Sequence, residues 1–430
     1  MDKHTYPQLN ETLYTHKLPN GLTIAVIPKP GFVKKSAYFA TDYGSIHMDY
    51  TLSGQHHVSP AGVAHYLEHK MFDLPGRDVM EEFAALGASP NAFTTYDMTA
   101  YHFSCTENFM ACLELLLTFV STPYFTQESV EKERSIIAQE ILMYEDSADS
   151  KVYEDLFAAM YRHHPVRIPI AGTVESIGEI TAQTLTDCYH AFYHPGNMIL
   201  CVVGDVEPEA VVELAEKILP TAAQSRPVAD LGPEEDLDCQ GCDTSRVMDV
   251  AMPTFQMGFK CHPMDDGYAG EIQQIIGDLS AEALMGESSA LYQRLYQTGL
   301  IDGSFACGFE DLPGVAMLSC GGDSREPEAV REAIIEEAHR LCREGIDDAL
   351  FLRLKKSALG RRYRALDSFD SLCFRVCATH FDGANYLDFP KYYDSVTKSQ
   401  VEDFLRTAVI REHCAMSIVW PRQQEENEPC

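Results

Sequence analysis

The pentapeptide His65-Tyr66-Leu67-Glu68-His69 is the feature that most restricts the fold of this chain. Apolar residues surround it at a spacing that predicts a helix. On a helix, residues four apart lie on one face, so His65 and His69 can bind the same metal ion. Glu68 then projects beside the ion without being a ligand, free to take a proton from a metal-bound water. The order His-x-x-Glu-His is the inverse of the commoner His-Glu-x-x-His zinc motif.

A catalytic zinc site of this kind needs a third protein ligand and keeps one position open for water. Residues 131–142 predict a second helix that carries two candidates, Glu133 and Glu140, two turns apart on one face. One can bind the metal while the other hydrogen-bonds a ligating histidine. The spacing does not decide which, and either glutamate could be an ordinary solvated residue. The apolar stripe of this helix is expected to consist of Val130, Ile136, Ile137, Ile141 and Leu142.

These motifs resemble those of the pitrilysin/insulinase peptidases, also called inverzincins. The resemblance, to a short two-domain bacterial-type member, covers nearly the whole chain. It implies one zinc ion, with Glu140 as the third ligand, Glu133 supporting the ligands from outside, and Glu68 as general base in peptide-bond hydrolysis. The further motifs that carry it follow in the family's order: Leu18-Pro19-Asn20-Gly21-Leu22, Gly44-Ser45, Ala61-Gly62-Val63-Ala64, Asn91-Ala92-Phe93-Thr94, Pro169-Ile170-Ala171-Gly172-Thr173 and Tyr193-His194-Pro195-Gly196-Asn197.

The length of 430 residues predicts at least two domains. Residues 221–245, rich in proline and acidic residues, are typical of a linker, so the predicted domains are 1–220 and 246–430. Each closes on an apolar strand, 198–203 in the first and 414–419 in the second, which suggests an internal duplication. The resemblance likewise implies an α+β fold of two similar domains, each a mainly antiparallel sheet with helices packed on it, forming half of the family's clamshell. Only the first domain has the metal motif.

Residues 91–96 and 99–103 alternate between apolar and polar side chains, which predicts a β-hairpin. In the resembled family this region provides an edge strand that pairs with an extended substrate. Asn91, Ala92 and Phe93 are therefore the predicted substrate-binding residues. Without the resemblance, the hairpin would be interpreted as ordinary sheet.

One departure from the family pattern lies in the second half. Many active relatives have an arginine and a tyrosine there that hold the substrate, whereas this chain has Tyr296 and Asp302 at the matching positions. Arg294, Tyr292 and Tyr363 are possible substitutes. The departure supports a second hypothesis, a peptide-binding or partner-dependent subunit with little activity alone. A third hypothesis is a hydrolase of a non-peptide substrate.

Charge and composition restrict the partners and the compartment. A net charge of −32 disfavours nucleic acid, whose phosphates need Lys and Arg, and favours solubility or, secondarily, attraction of basic peptides. No apolar run approaches the roughly 20 residues that span a bilayer, and residues 1–6 lack the form of a secretory signal. Fourteen scattered cysteines suit a reducing compartment. The sequence thus predicts a cytoplasmic protein with a peptide substrate and no membrane partner. Its length, half of the family's clamshell, predicts a homodimer or a heterodimer with a related subunit.

Three other motifs are assigned no part in the site. Cys239-Gln240-Gly241-Cys242 lacks the second cysteine pair of a metal site and is interpreted as loop sequence. The histidine pairs 56–57 and 163–164 are expected at the surface.

Residues 69–72 and 299–302 resemble a bacterial branch of the family linked to modification of elongation factor P.

Overall fold

Two β-sheets, each at the centre of a compact unit, organise the chain. The computed structural model describes residues 1–422. Within these residues, unit 1 consists of 1–141, 169–232 and 360–390, and unit 2 of 142–168, 233–359 and 391–422. Each unit therefore contains one segment from the opposite half of the chain, 360–390 in unit 1 and 142–168 in unit 2.

The strands, in chain order, are β1 (Asp2–Tyr6), β2 (Glu11–Lys17), β3 (Thr23–Pro28), β4 (Lys35–Thr41), β5 (Asp49–Leu52), β6 (Gln55–Val58), β7 (Asp73–Leu74), β8 (Arg77–Asp78), β9 (Ala88–Thr94), β10 (Thr99–Cys105), β11 (Met198–Gly204), β12 (Val228–Ala229), β13 (Thr244–Met248), β14 (Thr254–Cys261), β15 (Ala306–Leu312), β16 (Val315–Asp323) and β17 (Cys414–Pro421).

The helices are α1 (Val63–Met71), α2 (Val79–Ala85), α3 (Phe109–Val120), α4 (Gln127–Glu145), α5 (Ala148–Met160), α6 (Val174–Gly178), α7 (Ala182–Phe192), α8 (Pro208–Ile218), α9 (Gly267–Met285), α10 (Ala290–Thr298), α11 (Pro327–Glu344), α12 (Asp348–Ala365), α13 (Phe369–Phe381), α14 (Phe389–Ser395) and α15 (Lys398–Ala408). Short 3-10 turns lie at Pro165–Arg167, Pro195–Asn197, Tyr386–Asp388 and Arg411–His413.

Unit 1 is built on a seven-stranded sheet in the order β1-β2-β3-β11-β4-β10-β9. Neighbouring strands are antiparallel except β3 and β11, which are parallel. Every residue of β11 is buried. A continuous apolar run of this kind is typical of a strand that has both faces covered, and β11 indeed lies in the interior of the sheet.

The two faces of this sheet are covered by helices from different parts of the chain. Phe39 and Leu200, which pair across β4 and β11, belong to the core that includes residues of α1 and α3. Their neighbours Tyr38 and Cys201 point to the other face because side chains alternate along a strand. There α13, from the segment 360–390, packs on β4 and β11. Cys373 on this helix lies 3.9 Å, Sγ to carbonyl oxygen, from Cys201.

Unit 2 repeats this plan with a five-stranded sheet in the order β13-β17-β14-β16-β15. Only β13 and β17 are parallel in it. Helix α9 packs on β15 and β16, while α5, from the segment 142–168, packs on β13, β14 and β17. Arg246 of β13 donates from Nη2 to Oδ1 of Asp155 on α5 at 2.6 Å, which ties this helix to the sheet.

The predicted α+β class, with two mainly antiparallel sheets and helices packed on them, is confirmed. The apolar stripe predicted for α4 is partly wrong, because Ile136 and Leu142 are about half exposed while Val130, Ile137 and Ile141 are buried. Each of the two misassigned residues lies about 100° around the helix from a buried neighbour. The stretch 221–245, predicted as a linker, contributes β12 and the first residues of β13.

The motifs outside the predicted site also have defined places. His164 was expected at the surface but is buried, and its Nε2 lies 2.9 Å from the carbonyl oxygen of Pro313. Cys239 and Cys242 lie in a turn closed by a 3.0 Å hydrogen bond from the Cys242 amide to the Cys239 carbonyl. Within residues 1–422, no helix combines the length and the apolar character needed to cross a membrane.

Candidate metal centre

Helix α1, which carries the His-x-x-Glu-His motif, begins at a glycine that the local packing requires. Gly62 has a φ of +91°, and a Cβ atom there would lie 2.5 Å from the carbonyl oxygen of Ala171. Only glycine tolerates both conditions. Ser176 donates from Oγ to the carbonyl of Ala61 at 2.9 Å. The start of α1 is thus fixed against residues 169–176.

Helix α4, which carries the two candidate glutamates, is held in place by polar contacts to its neighbours. The hydroxyl of the buried Tyr66 on α1 donates to the carbonyl of Val130. The Arg134 guanidinium donates from Nε to the carbonyl of Ile177 at 3.1 Å and from Nη2 to that of Ile180 at 2.7 Å. Arg134 thereby binds one carbonyl in the last turn of α6 and another in the residues that follow this helix. These contacts set the position of Glu133 and Glu140.

Three side chains from the two helices converge on one point. The donor atoms of His65, His69 and Glu140 all lie within 4.8 Å of one another. Oε1 of Glu140 is 3.6 Å from Nε2 of His65, and Oε2 is 3.3 Å from Nε2 of His69. The two imidazole rings meet at 64° with their centroids 4.7 Å apart. The four-residue spacing on α1 therefore brings both rings to the same carboxylate.

These distances fit a tetrahedral zinc ion. Bonds of 2.0–2.2 Å from zinc to nitrogen and oxygen at tetrahedral angles place neighbouring ligand atoms about 3.4 Å apart. The observed separations of 3.3 and 3.6 Å, each from a different oxygen of Glu140, are close to that value. Two imidazoles and one carboxylate also leave a fourth position for water or substrate, as catalytic zinc sites do. The donor set thus suits zinc, although nitrogen and oxygen ligands bind other divalent ions as well.

Glu133 occupies a different position from Glu140. Its Oε1 lies 3.0 Å from Nδ1 of His69, so it accepts the Nδ1 proton and leaves Nε2 as the nitrogen that faces the metal position. Burial disfavours a charged His69, but hydrogen bonds to Glu133 and Glu140 and the charge of Glu68 outweigh it and raise the pKa of His69 to about 10. A metal ion that binds Nε2 therefore displaces a proton. Among residues 1–422, none hydrogen-bonds Nδ1 of the buried His65.

Glu68 lies between the histidines and the neighbouring sheet. It is half-buried on α1, and its Oε2 accepts a 2.9 Å hydrogen bond from Oγ1 of Thr94. Thr94 is the last residue of β9. The sequence predicts no role for this threonine. Its only sequence signal is its place directly after Asn91, Ala92 and Phe93.

Asn91, Ala92 and Phe93 lie on β9, the edge strand of the seven-stranded sheet. Asn91 is exposed, and Ala92 and Phe93 are half-buried. The ring of Phe93 contacts that of Phe374, which is 37% exposed, at a centroid distance of 5.6 Å. Because α1 packs on β9, the structure brings these three predicted substrate-binding residues onto an element beside Glu68.

Tyr296 and Asp302, the residues that depart from the family pattern, lie in unit 2 and have local partners. The carboxylate of Asp302 accepts from the amide and the hydroxyl of Ser304 at 2.8 and 2.6 Å, which closes a turn. Tyr296 is 54% exposed and stacks on Tyr292 with the rings nearly parallel.

The remaining candidates for the missing arginine and tyrosine also have neighbours of their own. Nη2 of Arg294, in unit 2, lies 3.6 Å from Oε2 of Glu337. Tyr363, in unit 1, packs edge-on against Phe389 with the ring centroids 5.4 Å apart. Both side chains are thus placed by contacts within their own units.

Sequence comparison relates both parts of the chain to one group of proteins. Residues 53–174 match the profile described as "Insulinase (Peptidase family M16)", and residues 179–358 match "Peptidase M16 inactive domain". The "Uncharacterized zinc protease YmfH" of Bacillus subtilis (strain 168) is 37% identical over 97% of this chain and 98% of its own length. A "Mitochondrial-processing peptidase subunit beta" of Neurospora crassa is 27% identical over 61% of this chain and 56% of its own.

Solved structures show the same relationship. A "putative M16-like peptidase" from Alicyclobacillus acidocaldarius is 33% identical, with a TM-score of 0.92 over 97% of this chain and all of that one. A protease from Helicobacter pylori, 19% identical, shares the fold with a TM-score of 0.81 over 95% of this chain and 99% of its own. The agreement extends over both units.

Proposed function

The chain belongs to the insulinase (M16) family of peptidases, and from this premise we propose that it is a zinc-dependent endopeptidase that hydrolyses short or unfolded peptides. The observation that carries the proposal is the group His65, His69 and Glu140 with Glu68 on the same turn of α1. Each of the four side chains has the donor or acceptor type that metal-assisted hydrolysis requires.

The ligand set of the proposed site is His65, His69 and Glu140, one zinc ion per chain. A bound zinc would supply a water of lowered pKa and a positive charge to polarise the scissile carbonyl. Glu133 orients His69 by accepting its Nδ1 proton at 3.0 Å. Such outer hydrogen bonds fix the ring that binds the metal and strengthen its basicity.

Glu68 is the proposed general base. Its carboxylate takes a proton from the attacking water and returns it to the nitrogen of the leaving amine. Oε2 accepts a hydrogen bond from Thr94, and Oε1 is the oxygen proposed for this transfer. A single carboxylate can perform both transfers because the proton gained in the first is the one delivered in the second.

The proposed substrate site is the free edge of β9. In the described part of the chain β9 is the terminal strand of its sheet, so one row of its main-chain groups can pair with an extended peptide. Asn91, Ala92 and Phe93 are the residues proposed to contact it. Apolar surface is available nearby at Phe374 and on α4 at Ile136, which lies one turn from Glu140. Pairing through the main chain favours unfolded substrates, because a folded protein has few free extended segments.

The proposal extends to the assembly and the compartment. We propose that the protein acts as a homodimer, or with a related subunit, in the cytoplasm. The similarity to a protein named as a mitochondrial-processing peptidase subunit supports assembly. The cysteines of residues 1–422 are free thiols, which suits a reducing compartment. The link to modification of elongation factor P stays a prediction.

A second candidate function is a peptide-binding or partner-dependent subunit with little activity alone. The observation that favours it is Tyr296 and Asp302 in place of the arginine and tyrosine expected from the family pattern. Asp302 closes a turn rather than presenting a free carboxylate. The two candidates differ in one measurable property, turnover by the protein on its own.

Turnover of a quenched, unstructured basic peptide library is the test, with wild type compared with Glu68→Gln. We expect cleavage by wild type, a loss of about 10³-fold or more in the variant because the base is absent, and equal zinc in both samples by elemental analysis. Equal zinc without turnover by wild type would favour the partner-dependent subunit. A wild-type protein that binds no metal would contradict the proposal itself.

A further inference from the structure

The carboxylate of Glu68 is held by one side chain from a different element. Oγ1 of Thr94, at the end of β9, donates to Oε2 of Glu68 on α1 at 2.9 Å. The last torsion of a glutamate side chain is broad and nearly free, unlike its sp³ torsions. A hydrogen bond to one oxygen therefore selects one orientation of the carboxylate from a wide range.

The geometry around Thr94 directs its proton to Glu68. Thr94 pairs with Thr99 across the β9–β10 hairpin, with their Oγ1 atoms 3.4 Å apart. The Thr99 hydroxyl makes the shorter contact, 2.8 Å, to the carbonyl of Tyr43. Thr99 therefore donates to Tyr43 and leaves the Thr94 proton for Glu68. Thr94 is β-branched, which restricts its χ1 angle and so the direction of its hydroxyl.

We infer that Thr94 is a positioning residue for the general base. It holds Oε2 of Glu68 so that Oε1 is presented to the proton that is transferred. The inference rests on the proposed function, because Glu68 acts as a base only in that reaction. Strand β9 then has two roles. Its main chain is proposed to pair with the substrate, and the side chain of its last residue, Thr94, orients the carboxylate of Glu68.

The test compares Thr94→Val, which keeps the branched shape but removes the hydroxyl, with Thr94→Ser, which keeps the hydroxyl. We expect Thr94→Val to lower kcat by about 10- to 100-fold, the effect of losing a hydrogen bond to a charged group. KM should stay within about twofold, and Thr94→Ser should recover most of the rate. Thr51→Val, which removes an exposed hydroxyl on β5, controls for the substitution itself.

Zinc content and crystal structures of the metal-free proteins provide readouts that do not depend on turnover. We expect equal zinc in all variants, one orientation of the Glu68 carboxylate in wild type, and several in Thr94→Val. In a Glu68→Gln background, Thr94→Val should cause little further loss, because both changes act through one group.

Three results would overturn the inference: a rise in KM with kcat unchanged, a loss of zinc in Thr94→Val, or an unchanged single orientation of the Glu68 carboxylate. The first would assign Thr94 to substrate binding and the second to the structure of the site. Absence of turnover by wild type would refute the proposed function. The carboxylate orientation would then still decide whether Thr94 positions Glu68.

Discussion

At the scale of single residues, the site shows how two identical side chains come to occupy different positions. Glu133 and Glu140 share one face of α4, yet Glu140 lies within 3.6 Å of both Nε2 atoms while Glu133 reaches only Nδ1 of His69. The seven-residue spacing predicts the shared face and nothing more. Which glutamate meets which nitrogen depends on how α4 crosses α1, and that crossing is set by Tyr66 and Arg134.

Removal of Glu133 should therefore weaken zinc binding without abolishing it. Glu133→Ala leaves the three ligands but frees the His69 ring, so we expect zinc affinity to fall about 10- to 100-fold. Competition with a chromophoric chelator measures this. Glu145→Ala, an exposed glutamate on the same helix, is the control and should bind as wild type does. Equal zinc affinities of the Glu133 and Glu145 variants would show that the contact between Glu133 and His69 does not contribute to zinc binding.

The residues of the candidate site differ in how far the sequence could predict them. His65, Glu68 and His69 lie within five consecutive residues, so a short stretch of helix is enough to predict their arrangement. Thr94 is 26 residues from Glu68, and their contact exists only because β9 meets α1. No local pattern contains that information, since a threonine at the end of a strand is common for other reasons.

At the scale of elements, the start of α1 is the point on which the ligand positions depend. Gly62 has a positive φ and lies against the backbone at Ala171. We expect Gly62→Ala to lower stability by about 2–4 kcal/mol through strain and collision, and to reduce zinc binding because α1 must shift. The midpoint of thermal unfolding and the zinc stoichiometry measure the two effects.

Gly178 offers a matched control for this substitution. It is the last residue of α6, and a Cβ atom there would meet nothing within 4 Å. Gly178→Ala should therefore be neutral or stabilise the protein by up to about 1 kcal/mol, since alanine favours helix. If both variants unfold at the wild-type temperature, the packing at Gly62 does not constrain α1.

Apolar patterns could predict which stretches form helices or strands. They could not predict how wide the buried face of a helix is. The strands predicted at 198–203 and 414–419 correspond to β11 and β17, and the helix predicted at 131–142 lies within α4. The error at Ile136 has a physical reason. This residue shares the α4 face of Glu133 and Glu140, and that face meets the two histidines of α1 instead of the core.

At the scale of the whole molecule, the two units each contain a segment from the opposite half of the chain. Composition could suggest a boundary near residues 221–245 because linkers have a characteristic content of proline and charge. It could not predict that 142–168 and 360–390 belong to the other unit. The apolar face of α5 or α13 fits either sheet in principle, and only the packed structure distinguishes them.

Glu235 connects the segment 142–168 to the rest of unit 2 through hydrogen bonds. It is half-buried, which disfavours its charge, but the amides of His164, His163 and Arg162 together with Lys260 outweigh this effect and lower the pKa of Glu235 to about 2. The pKa of a glutamate in the unfolded chain is about 4.3. The folded state therefore binds fewer protons, so this stabilisation is complete above about pH 4.3 and is lost as the pH falls toward about 2.

Glu235→Gln should accordingly lower stability by about 2–3 kcal/mol near neutral pH, and the difference from wild type should shrink below about pH 4. Denaturant unfolding at several pH values measures it. Glu234→Gln changes the exposed neighbour and should have little effect at any pH. A difference between Glu235→Gln and wild type that does not vary with pH would contradict the role assigned to the carboxylate.

The exchange of segments has a consequence for the protein during its synthesis. The seven-stranded sheet has all its strands once the ribosome has passed Gly204, but α13, which covers one of its faces, begins only at Phe369. Through the intervening stretch of translation, the nascent chain carries an apolar sheet surface without its native cover. Such surfaces attract chaperones and promote aggregation. Completion of unit 1 is therefore tied to a segment that is made only after most of unit 2.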